Sequence, residues 1–197
     1  MSGDSAPSIA VPPTAAEPTV FQQALRAPFF SLPDALRALH SIRGRGEYHG
    51  RVDIERGRNP LARLCGRLAG MPPAMTDAPL RVVFTADARS ETWRRDFGGH
   101  RMVSRLRCRK GLLVERLGPV QFRFAVHTAG GAIYWNAVGA RLLGVVPLPA
   151  RLFAGVRCRE REHEGCYEFQ VEAVLPLLGP MVRYEGWLRP VEAVEAG

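Results

Sequence analysis

The chain has 197 residues, of which 46% are hydrophobic, a formal net charge of +8 and an isoelectric point near 10.1. That size fits one domain with a tail, and a core that can stand without disulfides or structural metals. The basic balance alone would suggest nucleic acid or an anionic membrane, but 26 of the 27 basic residues are arginines dispersed between apolar residues. Dispersal of that kind reads as solvated strand faces rather than as a surface built for a polyanion.

Residues 1–19 are rich in Pro, Ala and Ser, a composition that buries too little surface to offset ordering entropy, so a disordered tail is expected there. A short helix is expected over residues 20–26, stopped by Pro28. Ser31-Leu-Pro-Asp34 reads as a helix start, and Leu32, Leu36 and Leu39 recur at helical spacing, which predicts a small amphipathic helix over 31–40. After a loop at 43–46, residues 47–56 read as a strand with Tyr48, Val52 and Ile54 on one side. Asn59 then caps a second helix with Pro60 in its first position. Its Leu61, Leu64, Cys65 and Leu68 form an apolar stripe, and Gly70 with Pro72-Pro73 ends it.

From Leu80 onward the period changes from helical to alternating. Strands are expected over 80–95, 101–110, 112–117, 120–127, 132–140, 156–163, 166–175 and 182–188. Gly98-Gly99, Gly111, Gly118-Pro119, Gly130-Gly131 and Glu164-Gly165 supply the turns, and Pro147 and Pro149 interrupt the series. The expected fold is mainly β, of α+β type: a curved antiparallel sheet or barrel with two short N-terminal helices packed on it or closing one end. The alternative is a helix-grip fold, a sheet wrapped round a long C-terminal helix; strand signal at 182–188 argues against it. The single domain is placed at 20–190, with a short tail at 191–197.

Four cysteines, Cys65, Cys108, Cys158 and Cys166, show no spacing suited to a metal, and reduced thiols are expected. Cys158 and Cys166 flank a hairpin turn and could lie near each other across strands. No metal and no cofactor is expected. Neither a signal peptide nor a run of about 20 apolar residues is visible, so the protein is read as cytoplasmic.

The segments Glu91-Thr-Trp-Arg-Arg95-Asp-Phe97, Glu115-Arg-Leu-Gly-Pro119, Pro176-Leu-Leu-Gly179 and Tyr184-Glu-Gly-Trp187-Leu188, together with Leu32-Pro33, Leu36-Arg37 and Leu39-His40, resemble an uncharacterised bacterial domain family. The resemblance spans residues 21–190. In some proteins such a domain is fused behind a saccharopine-dehydrogenase-like reductase domain, which implies a reductase as a candidate partner. It implies no mechanism. No glycine-rich dinucleotide fingerprint is present in this chain.

Among the candidate site residues, Glu91, Trp93 and Arg95 stand at i, i+2 and i+4, so a regular strand points all three to one face. They read either as a polar ligand contact inside a cavity or as a structural ion pair at a sheet end. Glu115 shares a face with Leu113 and Leu117; a carboxyl in apolar company is an acid–base candidate, unless an arginine pairs with it. Tyr134, Tyr184 and Trp187 are large aromatics on late strands that either fill a core or line a pocket. His40, at a helix end, reads as a dipole contact. Ser104 lacks a nucleophile elbow around it.

Two functions follow from these residues. The first is a binding module for a small apolar or amphipathic ligand inside the curved sheet, held by Glu91, Trp93, Arg95, Glu115, Tyr134, Tyr184 and Trp187. The second is a small-metabolite enzyme or accessory domain working with a reductase, with Glu91 and Glu115 as acid and base and Arg95 orienting an anionic group. A stripe of Arg101, Arg105, Arg107 and Arg109 would give only weak, salt-sensitive polyanion binding, so no specific nucleic-acid complex is expected.

Overall fold

A computed structural model describes residues 16–191. Most of the tail expected at the N-terminus, and all but Val191 of the C-terminal one, lie outside the described residues. Thr19 does not behave as tail: it is buried and caps the first helix, α1 (Val20–Leu25), in a reciprocal capping box with Gln22. The Thr19 hydroxyl also donates to the carbonyl of His40 at 2.8 Å. Arg26 and a 3-10 turn at Ala27–Ser31 follow, and α2 runs Asp34–His40. The helix expected from residue 31 therefore starts three residues later, because the chain before Asp34 is spent on the tighter turn.

The remaining strands are β1 (Gly44–Arg56), β2 (Met75–Ala86), β3 (Glu91–Phe97), β4 (His100–Arg109), β5 (Leu112–Leu117), β6 (Val120–Ala129), β7 (Ala132–Leu142), β8 (Val146–Leu148), β9 (Gly155–His163), β10 (Cys166–Leu175) and β11 (Gly179–Pro190), with α3 (Pro60–Leu68) between β1 and β2. Two expectations are corrected. The single run expected over 80–95 is two strands, because Asp87 turns the chain by accepting hydrogen bonds from the N–H groups of Arg89 and Ser90, each at 2.7 Å. The proline-broken stretch near Pro147 still forms β8, a short edge strand on β7 where a missing donor costs little.

All pairings are antiparallel. Neighbours run β6-β5-β4-β3-β2-β1-β11-β10-β9-β7, and a further β6–β7 pairing closes the ring into a ten-stranded barrel. Closure satisfies both edges of every strand except the short β8. No long C-terminal helix fills the sheet among the described residues, so the helix-grip alternative is not the architecture found. Alternation decides which residues enter. On β2, Leu80, Val82 and Phe84 are buried while Arg81 and Thr85 are exposed; on β4, Met102, Ser104 and Leu106 are buried while Arg101, Arg105 and Arg107 are exposed.

The antiparallel order gives the barrel two distinct ends. At one, α1 and α2 lie over the strands, α1 touching β4, β5 and β6 and α2 touching β9 and β10. Val20, Phe21, Leu25, Phe29, Leu36 and Leu39 of this helical lid are all buried. At the other end sit α3, the β7–β8 turn, the 3-10 turn at Ala150–Phe153 and the β10–β11 turn. Here α3 buries only its small residues, Ala62 and Gly66. Its apolar stripe points outward: Leu61 is 59% exposed, Leu64 51% and Leu68 72%.

Candidate functional site

Beneath the helical lid the interior is aromatic and charged at once. Phe21 of α1 reaches into the barrel and stacks on the His40 ring at a centroid distance of 3.6 Å, with Trp135 at 5.4 Å and Trp93 at 6.1 Å. His40 Nε2 meets the Glu160 carboxylate at 2.7 Å, and both side chains are essentially sealed from solvent. A buried polar group is costly without a hydrogen bond, and this contact supplies one to the Glu160 carboxylate and to His40 Nε2, while His40 Nδ1 is buried without a partner among the described residues. Glu91, also buried, accepts a hydrogen bond from the Trp93 indole N–H at 3.0 Å. Burial raises the Glu91 carboxyl above its usual range, Glu160's charge adds to that, and His40 and the indole N–H pull it back. The Tyr167 hydroxyl is raised well above its ordinary value, first by burial and then by the charge of Glu160 beside it.

Below this cluster, toward the α3 end, lies a cavity of about 70 Å³. Most of its wall is apolar, including Val82, Phe84, Trp135, Val156 and Phe169. The polar wall consists of Arg95, Glu115, Arg157, Cys158, Glu160, Tyr167 and Tyr184, with Arg157 largely exposed and paired with Glu172. Arg95 lies over the Trp93 ring at 4.8 Å, donates to Ser104 Oγ at 2.9 Å, and stands 3.7 Å from Glu115. Both charged side chains are 12% exposed. A guanidinium has five N–H donors, and those contacts leave several of them free for a group in the cavity. The Cys158 thiol is pushed well above its ordinary value by burial and by the charges of Glu160 and Glu115, so it stays a thiol and not a nucleophilic thiolate. Register sets Cys158 against Val171 and Cys166 against His163, and all four cysteines are free. Among the described residues no three His, Cys, Asp or Glu side chains gather as metal ligands would.

The residues singled out from the sequence divide three ways. Trp93, Arg95, Glu115 and Tyr184 line the cavity. Glu91 lies behind Trp93 in the cluster under the lid; in the ladder it faces Leu106, which faces Glu115, so the two carboxylates stand two strands apart, about 10 Å between backbones. Tyr134 and Trp187 face outward, Tyr134 stacked on His127 and Trp187 covered by Arg189. From the sequence His40 reads only as a dipole contact at a helix end, and Glu160 is not singled out. Glu160 had a signal: it alternates with Val156 and Cys158 on β9, against Arg157, Arg159 and Arg161. His40 had none, because only the tertiary fold brings the end of α2 over β9.

Comparison with known proteins adds the following. A family model described as a domain of unknown function, DUF4166, matches residues 32–188. No curated protein matches. Among solved structures, the chain is similar to that of Rv2717c from M. tuberculosis, with 16% sequence identity, a TM-score of 0.44, and coverage of 81% of this chain and 99% of that one. With the family model spanning nearly the whole barrel, the chain belongs to the DUF4166 family.

Proposed function

We propose that the barrel interior binds a compact, largely apolar molecule with one anionic or hydrogen-bond-accepting end. The observation that carries this reading is Arg95: a guanidinium on the wall of an apolar cavity, only loosely paired with Glu115 and with donors to spare. A charge in that setting is stabilised by any group that completes its hydrogen bonds. Small-molecule sites commonly combine apolar walls with a few convergent polar groups, as here. The cavity's size limits the occupant to a handful of heavy atoms unless side chains such as Phe169 move aside. Native mass spectrometry of freshly purified protein tests this. A small, non-covalent adduct is expected, lost on denaturation and absent from a Val171→Phe variant that fills the wall. An unliganded mass for the native protein under gentle conditions would count against the reading.

A second reading, a small-metabolite enzyme or an accessory domain for a reductase, draws support from the titratable cluster of His40, Glu91, Glu160 and Tyr167 beside the cavity. In it Glu160, rather than the Glu91–Glu115 pair, is the group placed to exchange a proton with an occupant, since it alone among the cluster's carboxylates lines the cavity.

A further inference from the structure

The α3 end of the barrel differs from the rest of the surface in two ways at once. Large apolar side chains stand out in solvent there: Leu61, Leu64 and Leu68 on α3, Leu143 and Val145 in the β7–β8 turn, and Leu177, 98% exposed, in the β10–β11 turn. At the lidded end, Phe30 and Val191 are the large apolar residues so exposed among the described residues. The second feature is charge. The five connections at the α3 end, residues 57–74, 98–99, 118–119, 143–154 and 176–178 (β8 included), contain Arg58, Arg63, Arg67 and Arg151 and no Asp or Glu. The connections at the lidded end mix both signs, with Glu17, Asp34, Asp87 and Glu164 among Arg26, Arg37, Arg43, Arg89 and Lys110, so what sets the α3 end apart is the absence of carboxylates.

Under α3 the arginines converge on a second, larger concavity of about 530 Å³, lined by Arg56, Arg58, Arg63, Arg67 and His100 with no carboxylate on its wall. Arg56 lies against Gly66, where any Cβ would collide with its guanidinium, and its hydrogen bond goes to the Pro72 carbonyl at 3.4 Å. None of these four arginines is ion-paired among the described residues. On the neighbouring strands Asp77 binds Arg51 and Asp96 stands against Arg101, and Glu55, next to Arg56 in the chain, does not line the concavity. Partial burial and the neighbouring Arg63 and Arg67 charges push Arg56 below its usual range, which means that positive charges crowd here without a counter-charge.

We propose that the α3 end is a docking surface for an anionic lipid bilayer, with the leucines of α3 and of the adjacent turns entering the headgroup–acyl boundary and the pocket arginines taking lipid phosphates. Charge complementarity selects this occupant: exposed leucines alone would suit any apolar partner, but leucines set round an arginine-lined, carboxylate-free concavity match the layered chemistry of an anionic membrane interface. Arginine's planar fork suits phosphate oxygens, and its stem tolerates apolar company. No helix among the described residues is long and apolar enough to cross a membrane, so this is surface attachment through α3. The proposal stands independently of what the barrel interior binds.

Co-sedimentation of the full chain with phosphatidylcholine vesicles, and with vesicles that also contain phosphatidylglycerol, at about 150 mM salt, where the screening length is near 8 Å, tests it. Binding to the anionic vesicles and not to the neutral ones is expected. The double variant Arg63→Glu with Arg67→Glu should weaken binding roughly 30-fold or more, each basic residue near an anionic surface being worth about fivefold. Leu64→Ser with Leu68→Ser should weaken it roughly tenfold, through lost apolar insertion. These side chains are exposed, so both variants should retain the wild-type circular dichroism; Leu177→Ser, in a separate turn, is expected to show a smaller loss in the same direction. Absence of binding to anionic vesicles overturns the proposal. So does binding that ignores the leucine changes and is abolished by millimolar inorganic phosphate, which would mark a site for soluble anions.

Discussion

The two ends of this barrel are built from similar materials and used in opposite ways. Each has a short helix with leucines at helical spacing. In α2, Leu36 and Leu39 are buried with His40, and the helix end closes over β9 and β10. In α3, Ala62 and Gly66 are buried and Leu61, Leu64 and Leu68 face out. The difference lies in what the barrel offers each helix. At the lidded end the strands present Trp93, Trp135 and Glu160, which demand an apolar cover and a hydrogen-bonding partner; α1 and α2 supply Phe21 and His40. At the α3 end the barrel presents Arg56, whose guanidinium packs directly against Gly66. An apolar stripe alone therefore does not say which side of a helix is buried; the chemistry of the surface beneath it does.

The sharpest way to break this comparison is to remove one member of the sealed pair. Glu160→Ala leaves the His40 ring buried without its partner and should destabilise the fold by about 3–5 kcal/mol, read as a shift in denaturant midpoint with little change in slope. A loss below about 1 kcal/mol would mean that the pair is solvated and the lid is open.

A smaller effect distinguishes Glu91 from its neighbours. Its carboxyl is raised in the folded state from an ordinary value of 4.5, mainly by burial. A group raised on folding contributes stability that is fully present below its unfolded value and is lost as pH rises through its folded value. Glu91→Gln keeps an acceptor for the Trp93 indole and removes that pH-dependent loss. The variant should melt a few degrees above the wild type at about pH 8 and converge with it near pH 4. A constant difference across that range would show that Glu91 does not carry the dependence.

Much of the architecture was legible in the sequence. Alternation from Leu80 onward located the strands, and paired turn residues such as Glu164-Gly165, both with positive φ, marked the hairpins where left-handed backbone is needed. The same alternation placed Glu91, Trp93 and Arg95 together on one face, which the barrel turns inward. What it could not reveal was how far along the barrel axis each inward residue sits, and so it did not separate Glu91, under the lid, from Arg95, on the cavity wall. For Tyr134 and Trp187 alternation leaves two faces, and the choice depends on register: Ile133 and Trp135 take the interior of β7, leaving Tyr134 outside. His40 and Glu160 are 120 residues apart in sequence. No local pattern links them; only closure of the barrel beneath α2 does.

The central claim is that the cavity beside Arg95 and Glu115 is a binding site and not a packing defect. A high-resolution crystal structure of freshly purified protein addresses it directly. Continuous density larger than a water is expected between Val82, Phe84 and Val156, with a polar end within hydrogen-bond distance of the Arg95 guanidinium. A cavity holding only ordered water, with Arg95 and Glu115 drawn together into a close bidentate pair, would contradict it.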